Sequence, residues 1–256
     1  MLRELYDYRQ MIVSLVQKDL RGRYKGSFLG FLWTFINPLF QLIIYTIVFS
    51  NIMRMGIDKF YMFLFVALVP WIYFSANLQN GATSIIDNKE MVSKIYFPRL
   101  VIPLAYNISC FVNMLFSFVV IFAVIIVTGF GVNIKALLFL PVIMIIEFLL
   151  ATGISFITSA LTVYVRDLKH ILQIISMGWM YLTPVIYPPT MVPEKYRTLF
   201  NLNPMTPIVN AYRDILYYKQ VPAMQTLIQA TAFGVVLLVI GYFVFQKLQK
   251  GFVEEL

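Results

Sequence analysis

The chain has 256 residues, of which 60% are hydrophobic and 12% charged, and its net charge is +8. Soluble domains average about 25% charged residues, so this composition argues against a water-soluble globule, a disordered chain and a soluble nucleic-acid binder. It fits a polytopic membrane protein, with the surplus Lys and Arg expected beside anionic lipid at the cytoplasmic face.

Residues 3–21 open the chain with a helical pattern. Arg3, Asp7, Gln10, Ser14, Gln17, Lys18 and Arg21 share one face at 100° per residue, and Leu5, Tyr8, Ile12, Leu15, Val16 and Leu20 share the other. This predicts an amphipathic helix along the cytoplasmic interface. Its role stays open between a passive anchor and a docking surface for a cytoplasmic partner. The next residues hold Gly22, Gly26 and Gly30 and, with Lys18, the bases Arg21, Arg23 and Lys25. The glycines suit a bend from an in-plane helix into a span better than one continuous small-residue face. Bases at headgroup level suit either ordinary anchoring or capture of a phosphate-bearing lipid.

Six apolar runs are long enough to read as spans: 31–50, 60–78 with Pro70 inside, 100–128, 136–165, 171–187 and 224–245. The first apolar run begins too late for a cleavable signal peptide. With an even span count, both termini lie on one side. That side carries 13 of the 20 bases and is therefore expected to be cytoplasmic.

The loop over 79–99 contains Asp87, Asn88, Glu90, Lys94 and Arg99. Asp87 or Asn88 is placed to cap a short helix, with Pro98 ending it. Such a helix would be either a solvated connector or a contact for a soluble domain. The loop over 188–222 is rich in Pro and Tyr, and its two apolar stretches, 196–202 and 207–218, are too short to span. They read as re-entrant or surface helices at the outer mouth. Glu147 is the acid well inside a span; without a charged mid-span partner it suits a hydrogen-bonded structural group better than a proton relay. Ala151, Ser155 and Ser159 form a small-residue packing seam.

No catalytic motif accompanies these elements. The sequence lacks a Gly-Lys dipeptide, so it cannot build the usual phosphate-binding loop of an ATPase. Its one cysteine, Cys110, and one histidine, His170, offer neither an intrachain disulfide nor a His-rich metal site. Uphill transport would then draw on a separate ATPase, since paired intramembrane charges for an ion gradient are absent.

Several motifs follow one another in a fixed order: Lys18-Asp19-Leu20-Arg21-Gly22-Arg23-Tyr24-Lys25, then Leu29-Gly30, Trp33 and Asn37-Pro38, then Arg166-Asp167, Thr183-Pro184-Val185-Ile186-Tyr187, and Asn203-Pro204-Met205-Thr206-Pro207 before Tyr212-Arg213. In these the chain resembles the membrane permease subunit of type-2 ABC exporters, in the branch that exports O-antigen, capsule-like glycans or teichoic acid. The resemblance covers essentially the whole chain. It implies an all-α membrane protein of six transmembrane helices with an N-terminal interface helix and short outer helices. One permease domain would comprise residues 1–27 as the interface helix, 28–187 as spans one to five, 188–222 as the outer gate and 223–247 as span six.

The resemblance further implies a homodimer above two ABC ATPase subunits, which would bind the ATP and Mg, so that this chain holds no cofactor and is not an enzyme by itself. The complex would sit in the bacterial inner membrane with both termini cytoplasmic. It would move an undecaprenyl-pyrophosphate-linked polysaccharide and bind membrane lipid but no nucleic acid. Lys18, Arg21, Arg23, Tyr24 and Lys25 would meet the pyrophosphate. Asp87, Asn88, Glu90, Lys94, Arg99, Arg166 and Asp167 would face the ATPases. Spans one and five of opposite subunits would form a lateral gate, and Asn203, Pro204, Pro207, Tyr212 and Arg213 would belong to the outer gate. Sugar rings stack on aromatic faces, which makes Trp33, Phe35, Tyr45, Trp71, Tyr73, Phe74, Trp179 and Tyr181 candidates for the path. An interfacial aromatic belt would use the same residue types. Competing readings are a type-2 ABC permease for a small hydrophobic drug or lipid, a membrane glycosyltransferase and a proton-coupled carrier using Glu147.

Overall fold

The structure is a computed structural model and describes residues 2–24, 26, 28–52 and 56–256. All regular elements among these residues are helical. The chain opens with α1 (Leu2–Asp7), α2 (Arg9–Tyr24) and α3 (Trp33–Tyr45), which continues as a π-helix over Thr46–Ile52. Next come α4 (Phe60–Gln79), α5 (Ser84–Asp87), α6 (Lys89–Lys94), α7 (Val101–Val127), α8 (Ile134–Leu137) and α9 (Leu140–Tyr164). The rest comprises α10 (Leu168–Leu182), α11 (Glu194–Leu202), α12 (Met205–Leu216), α13 (Met224–Leu248) and α14 (Phe252–Glu255).

Four segments are long and apolar enough to cross a membrane: Phe60–Asp87, Val101–Val127, Ile134–Tyr164 and Met224–Glu255. They match the expected spans two, three, four and six. The other two expected spans are shorter, Trp33–Phe49 and α10. The fifteen residues of α10 rise about 22 Å, less than the ~30 Å hydrocarbon layer. The expected span to Tyr187 is thus corrected: its helix stops at Leu182. Pro184 disfavours helical backbone at the residue before it, and Thr183 is extended at φ −106°, ψ 135°.

Local chemistry sets the other boundaries. Gly129, at φ +62°, lets the amides of Gly129 and Phe130 close the end of α7 onto Ile126 and Ile125 carbonyls. Pro141 sits in the first turn of α9, where its missing N–H costs nothing. Gly26 at φ +83° and Gly30 at φ +48° turn the chain between α2 and α3. The glycines are therefore a bend and not a continuous small face.

α4 is the central helix. Met62 to Pro70 are buried in succession, so no face meets solvent or lipid, and the helix continues through Pro70. Polar side chains join it to its neighbours: the Tyr73 hydroxyl donates to Asn107 Oδ1 on α7, and Asn107 Nδ2 donates to Thr152 Oγ1 on α9. Between helices in a membrane such bonds contribute about 0.6 kcal/mol each on average.

α9 and α13 pack backbone to backbone. A Cβ on Gly241 would overlap the backbone of Gly153, and one on Gly153 would overlap that of Leu237. The expected seam of Ala151, Ser155 and Ser159 is buried on the opposite side of α9, with Ser155 Oγ 3.0 Å from where a Cβ on Gly81 would lie. Glycines seven residues apart on α13, Gly234 and Gly241, were the sequence signal for the second seam.

One end of the bundle gathers both chain termini. Leu5, Tyr8, Met11, Ile12 and Leu15 pack on a cluster that includes Ile85, Val92, Phe97, Phe156, Phe245 and Phe252. The predicted apolar face of the first helices thus meets protein. At the other end Tyr217 donates to the Asp58 carbonyl at 2.6 Å, Asn133 donates to the Lys219 carbonyl at 2.9 Å, and Lys59 and Lys219 lie over the Phe130 ring. The three loops assigned to the outer side by charge therefore converge, although Arg54 lies outside the described residues.

Gly241→Leu is expected to destabilise the α9–α13 crossing by about 1–3 kcal/mol, the usual cost of overpacking. Thermal unfolding of the detergent-solubilised chain checks this. Gly178→Ala, where a Cβ meets nothing within 4 Å, is expected to leave the transition unchanged or slightly higher.

Candidate functional site

Two separated regions collect the residues singled out from the sequence. The first lies where α2 crosses α5 and the start of α7. Arg23 donates to Asp19 at 2.8 Å and to Cys110 Sγ at 3.1 Å, and its guanidinium sits 5.5 Å from the Tyr106 ring centre. Ser109 donates to the same Asp19 carboxylate. Burial works against the charge on Arg23, but Cys110, Tyr106 and Asp19 outweigh it and raise its pKa. Arg23 is therefore a latch between α2 and α7, with only a quarter of its side chain exposed. Lys18 donates to Asn88 Oδ1 at 3.3 Å, and Arg21 is exposed. Lys25 and the Tyr24 side chain lie outside the described residues.

The short helices α5 and α6 extend this region. Asn88 occupies the N-cap position of α6, but its amide turns back to the Ser84 carbonyl at 2.9 Å and caps nothing. The helix ends at Lys94, so Pro98 does not terminate it as expected; Ile95 is already extended. Asp87, Glu90 and Lys94 are exposed. Arg99 is half-buried, donates to the Gln249 carbonyl and stacks on Phe252. Arg166 donates to the Glu255 carbonyl at 3.4 Å, and Asp167 is exposed beside it. Ile95 and Tyr96, which belong to none of the sequence motifs above, stand 57% and 98% exposed at the tip of this loop. An apolar–aromatic pair directly after a charged helix was the available signal.

The second region joins the end of α10 to α11 and α12. Asn203 uses all its hydrogen-bonding positions. Its Oδ1 accepts from Trp179 Nε1 at 2.9 Å and from the Met205 amide at 3.0 Å, and its Nδ2 donates to the Leu182 carbonyl at 3.0 Å and Thr183 Oγ1 at 2.9 Å. Arg213 is 1% exposed. It donates to the carbonyls of Pro184, Val185, Tyr187 and Phe63, and its guanidinium lies 3.6 Å from the Phe63 ring centre. Burial lowers its pKa to about 9, against the raising effect of nearby tyrosines, so it stays charged at neutral pH. Pro207 and Tyr212 are also buried, and the Tyr212 hydroxyl donates to Glu147 Oε2 at 2.7 Å. Glu147 is fully buried, and its other carboxylate oxygen, Oε1, has no hydrogen-bond partner among the described residues. The α12 stretch, expected as a re-entrant or surface helix, lies in the interior: its Ile208, Val209, Ile215 and Leu216 join the main core. Pro204 lies half-buried at its start, and α11 has no buried residue.

The candidate path aromatics divide by burial. Trp71, Tyr73 and Phe74 are buried inside the chain, where they pack rather than face a path. Trp179 is half-buried and meets Phe74 edge-on at 5.2 Å. Trp33, Phe35 and Tyr45 are half-buried on or beside α3, and Phe35 packs on Phe116. Tyr181 is 60% exposed.

A profile of the family described as ABC-2 type transporter matches residues 10–217. Over 258 residues the chain is 36% identical to the O-antigen export system permease protein RfbA of Myxococcus xanthus, covering 100% of this chain and 99% of that protein. It is 32% identical to a protein of the same description from Klebsiella pneumoniae, over 96% of this chain and 95% of that one. It is 22% identical to the polysialic acid transport protein KpsM of Escherichia coli, over 98% of each.

Arg213→Ala is expected to strand four buried carbonyls and cost about 3–5 kcal/mol. Arg213→Lys keeps the charge but loses the fork, and should fall between Ala and the parent. Thermal unfolding and limited proteolysis within 183–203 check the order.

Proposed function

The chain belongs to the ABC-2 type transporter family, and on that premise we propose that it is the membrane permease of a cell-surface polysaccharide exporter. The observation that carries this is full-length similarity to two O-antigen export permeases and, more distantly, to a polysialic acid transport protein. The permease works with a separate ATPase, since its own sequence has no phosphate-binding loop of the usual kind.

Finer features belong to the same proposal. Six crossings place both termini on the cytoplasmic side of the bacterial inner membrane; their meeting in one cluster supports an even count. The α2 helix runs along that interface, and the exposed charges of α5 and α6 with Tyr96 offer the ATPase a contact. Two copies pair through α3 and α10, whose Phe40, Ile43, Ile44, Ile174, Met177 and Tyr181 are exposed. The path for the glycan runs between the copies, where Tyr45 and Tyr181 can stack sugar rings. The cargo is lipid-linked through a pyrophosphate, and Arg21, an exposed base with no tie to α7, meets it.

Deleting the chain is expected to leave completed glycan on the cytoplasmic side, and re-expression to restore it outside; surface glycan at parental levels in the deletion strain would refute the reading. Arg21→Ala should lower export about fivefold, the scale of one charge-assisted contact, at unchanged protein level. Arg23→Ala should instead loosen α2 and lower thermal stability. Tyr96→Ala removes an exposed aromatic anchor and should weaken co-purification of the ATPase about tenfold or more.

A further inference from the structure

A cleft of about 370 Å³ opens between α11, the start of α12 and the helical turn at Pro189–Met191. Its size is within the range of small-ligand sites. Arg197 lines it from α11 together with Phe200 and Asn201, which follow three and four residues later on the same helix face. Asn210 lines it from α12 and Thr190 from the turn, and the buried Pro184 and Val192 add apolar surface.

The polar groups of this lining are open and uncommitted. Asn210 is half-buried, yet its side-chain amide has no hydrogen-bond partner among the described residues, and neither amide atom is sealed from the solvent side. The exposed Asn201 amide and Thr190 hydroxyl are likewise without partners among the described residues. Asn201 is held through its backbone instead, where its carbonyl accepts from Gln229 at 2.6 Å. Arg197 meets Glu194 at 3.3 Å in an exposed pair, so the one charge in the lining is balanced. A second observation points to an occupant. α11 has nine residues and buries none of them, although isolated helices under about 12–15 residues are marginal in water. A ligand in the cleft braces the Arg197–Asn201 face of α11 against α12.

We propose that this cleft is a binding site for a neutral pyranose unit, held by Asn210, Asn201 and Thr190. The lining decides the class. Each carboxamide presents a donor and an acceptor side by side, and the threonine hydroxyl is both at once. Sugar hydroxyls are also donor and acceptor together, so neighbouring hydroxyls on a ring complement this set. An anion would face the amide oxygens and find its one cation already shared with Glu194. An apolar ligand would leave the amides and the hydroxyl desolvated and unpaired. Phe200, Pro184 and Val192 offer apolar surface to the C–H face of the ring. The inference rests on the polysaccharide reading only for the origin of the sugar, which would be the glycan as it leaves the permease.

The test uses the full chain purified with its ATPase partner. Saturation-transfer NMR measures binding of the methyl pyranosides of glucose, galactose, mannose and rhamnose, with glucuronate and the open-chain mannitol alongside. At least one methyl pyranoside is expected to bind about threefold or more above both comparison compounds, the scale of one neutral hydrogen bond. Asn210→Leu, Asn201→Ala and Thr190→Val should each weaken that binding about threefold to tenfold. None of these side chains has a partner in the protein to lose, so thermal unfolding should stay at the parental temperature. No methyl pyranoside above mannitol, glucuronate bound more tightly than every methyl pyranoside, or parental binding by the Asn201→Ala, Asn210→Leu double variant would each overturn the proposal. The two readings fail separately. Parental surface glycan in the deletion strain refutes polysaccharide export and leaves methyl pyranoside binding as the measure of the cleft, whereas glycan lost on deletion with no methyl pyranoside bound refutes the cleft alone.

Discussion

The buried guanidinium of Arg213 is the constraint around which the outer half of the molecule is arranged. α10 is too short to cross a membrane as one helix, and the chain continues from it without helical hydrogen bonds. Backbone carbonyls released at that depth must be satisfied within the protein. Arg213 supplies donors to three of them, at Pro184, Val185 and Tyr187, and to a fourth on α4. It can do so because α12 is driven into the core by Ile208, Val209, Ile215 and Leu216, which brings a long basic side chain under the unwound segment. Asn203 closes the same segment from the other side. The Phe63 ring completes the enclosure; a desolvated cation over an aromatic face gains about 2 kcal/mol.

This arrangement explains which parts of the fold were legible in the sequence. α7, α9 and α13 are long apolar runs whose hydrogen bonds are all local, so length and hydropathy alone delimit them to within a few residues. The end of α10 was not legible in that way. Ile186 and Tyr187 are as apolar as the residues before them, and what stops the helix is Pro184 together with donors that arrive from 26 to 29 residues later. α12 reads as an apolar stretch too short to span, which leaves its depth open, and only tertiary partners make its arginine tolerable inside.

The same distinction separates candidate aromatics with an open face from those enclosed in the bundle. Trp71, Tyr73 and Phe74 were grouped with Tyr45 and Tyr181 because all are aromatic and lie near spans. On α4, however, Trp71, Tyr73 and Phe74 are all buried and have no free face. α3 and α10 are covered on one side only, and their aromatics remain partly or largely exposed. Sequence composition could not make this cut, since it depends on which helix occupies the centre of the bundle.

Charge counting is sharpened in a comparable way. Thirteen of the twenty bases fall on the side read as cytoplasmic, and Arg213 is one of the seven on the other. Arg213 is enclosed by protein, and therefore does not contribute to the charge that a membrane surface senses. Setting it aside widens the asymmetry on which the orientation rests. On the cytoplasmic side the correction is smaller but of the same kind: Arg23 is committed to Asp19 and Cys110, while Arg21 one turn-half earlier is exposed. Neighbouring bases in one short basic run thus differ physically, one fastening a helix to the bundle and the other left exposed. Their difference follows from helix geometry, because residues two apart point to opposite sides of α2 and only one side faces α7.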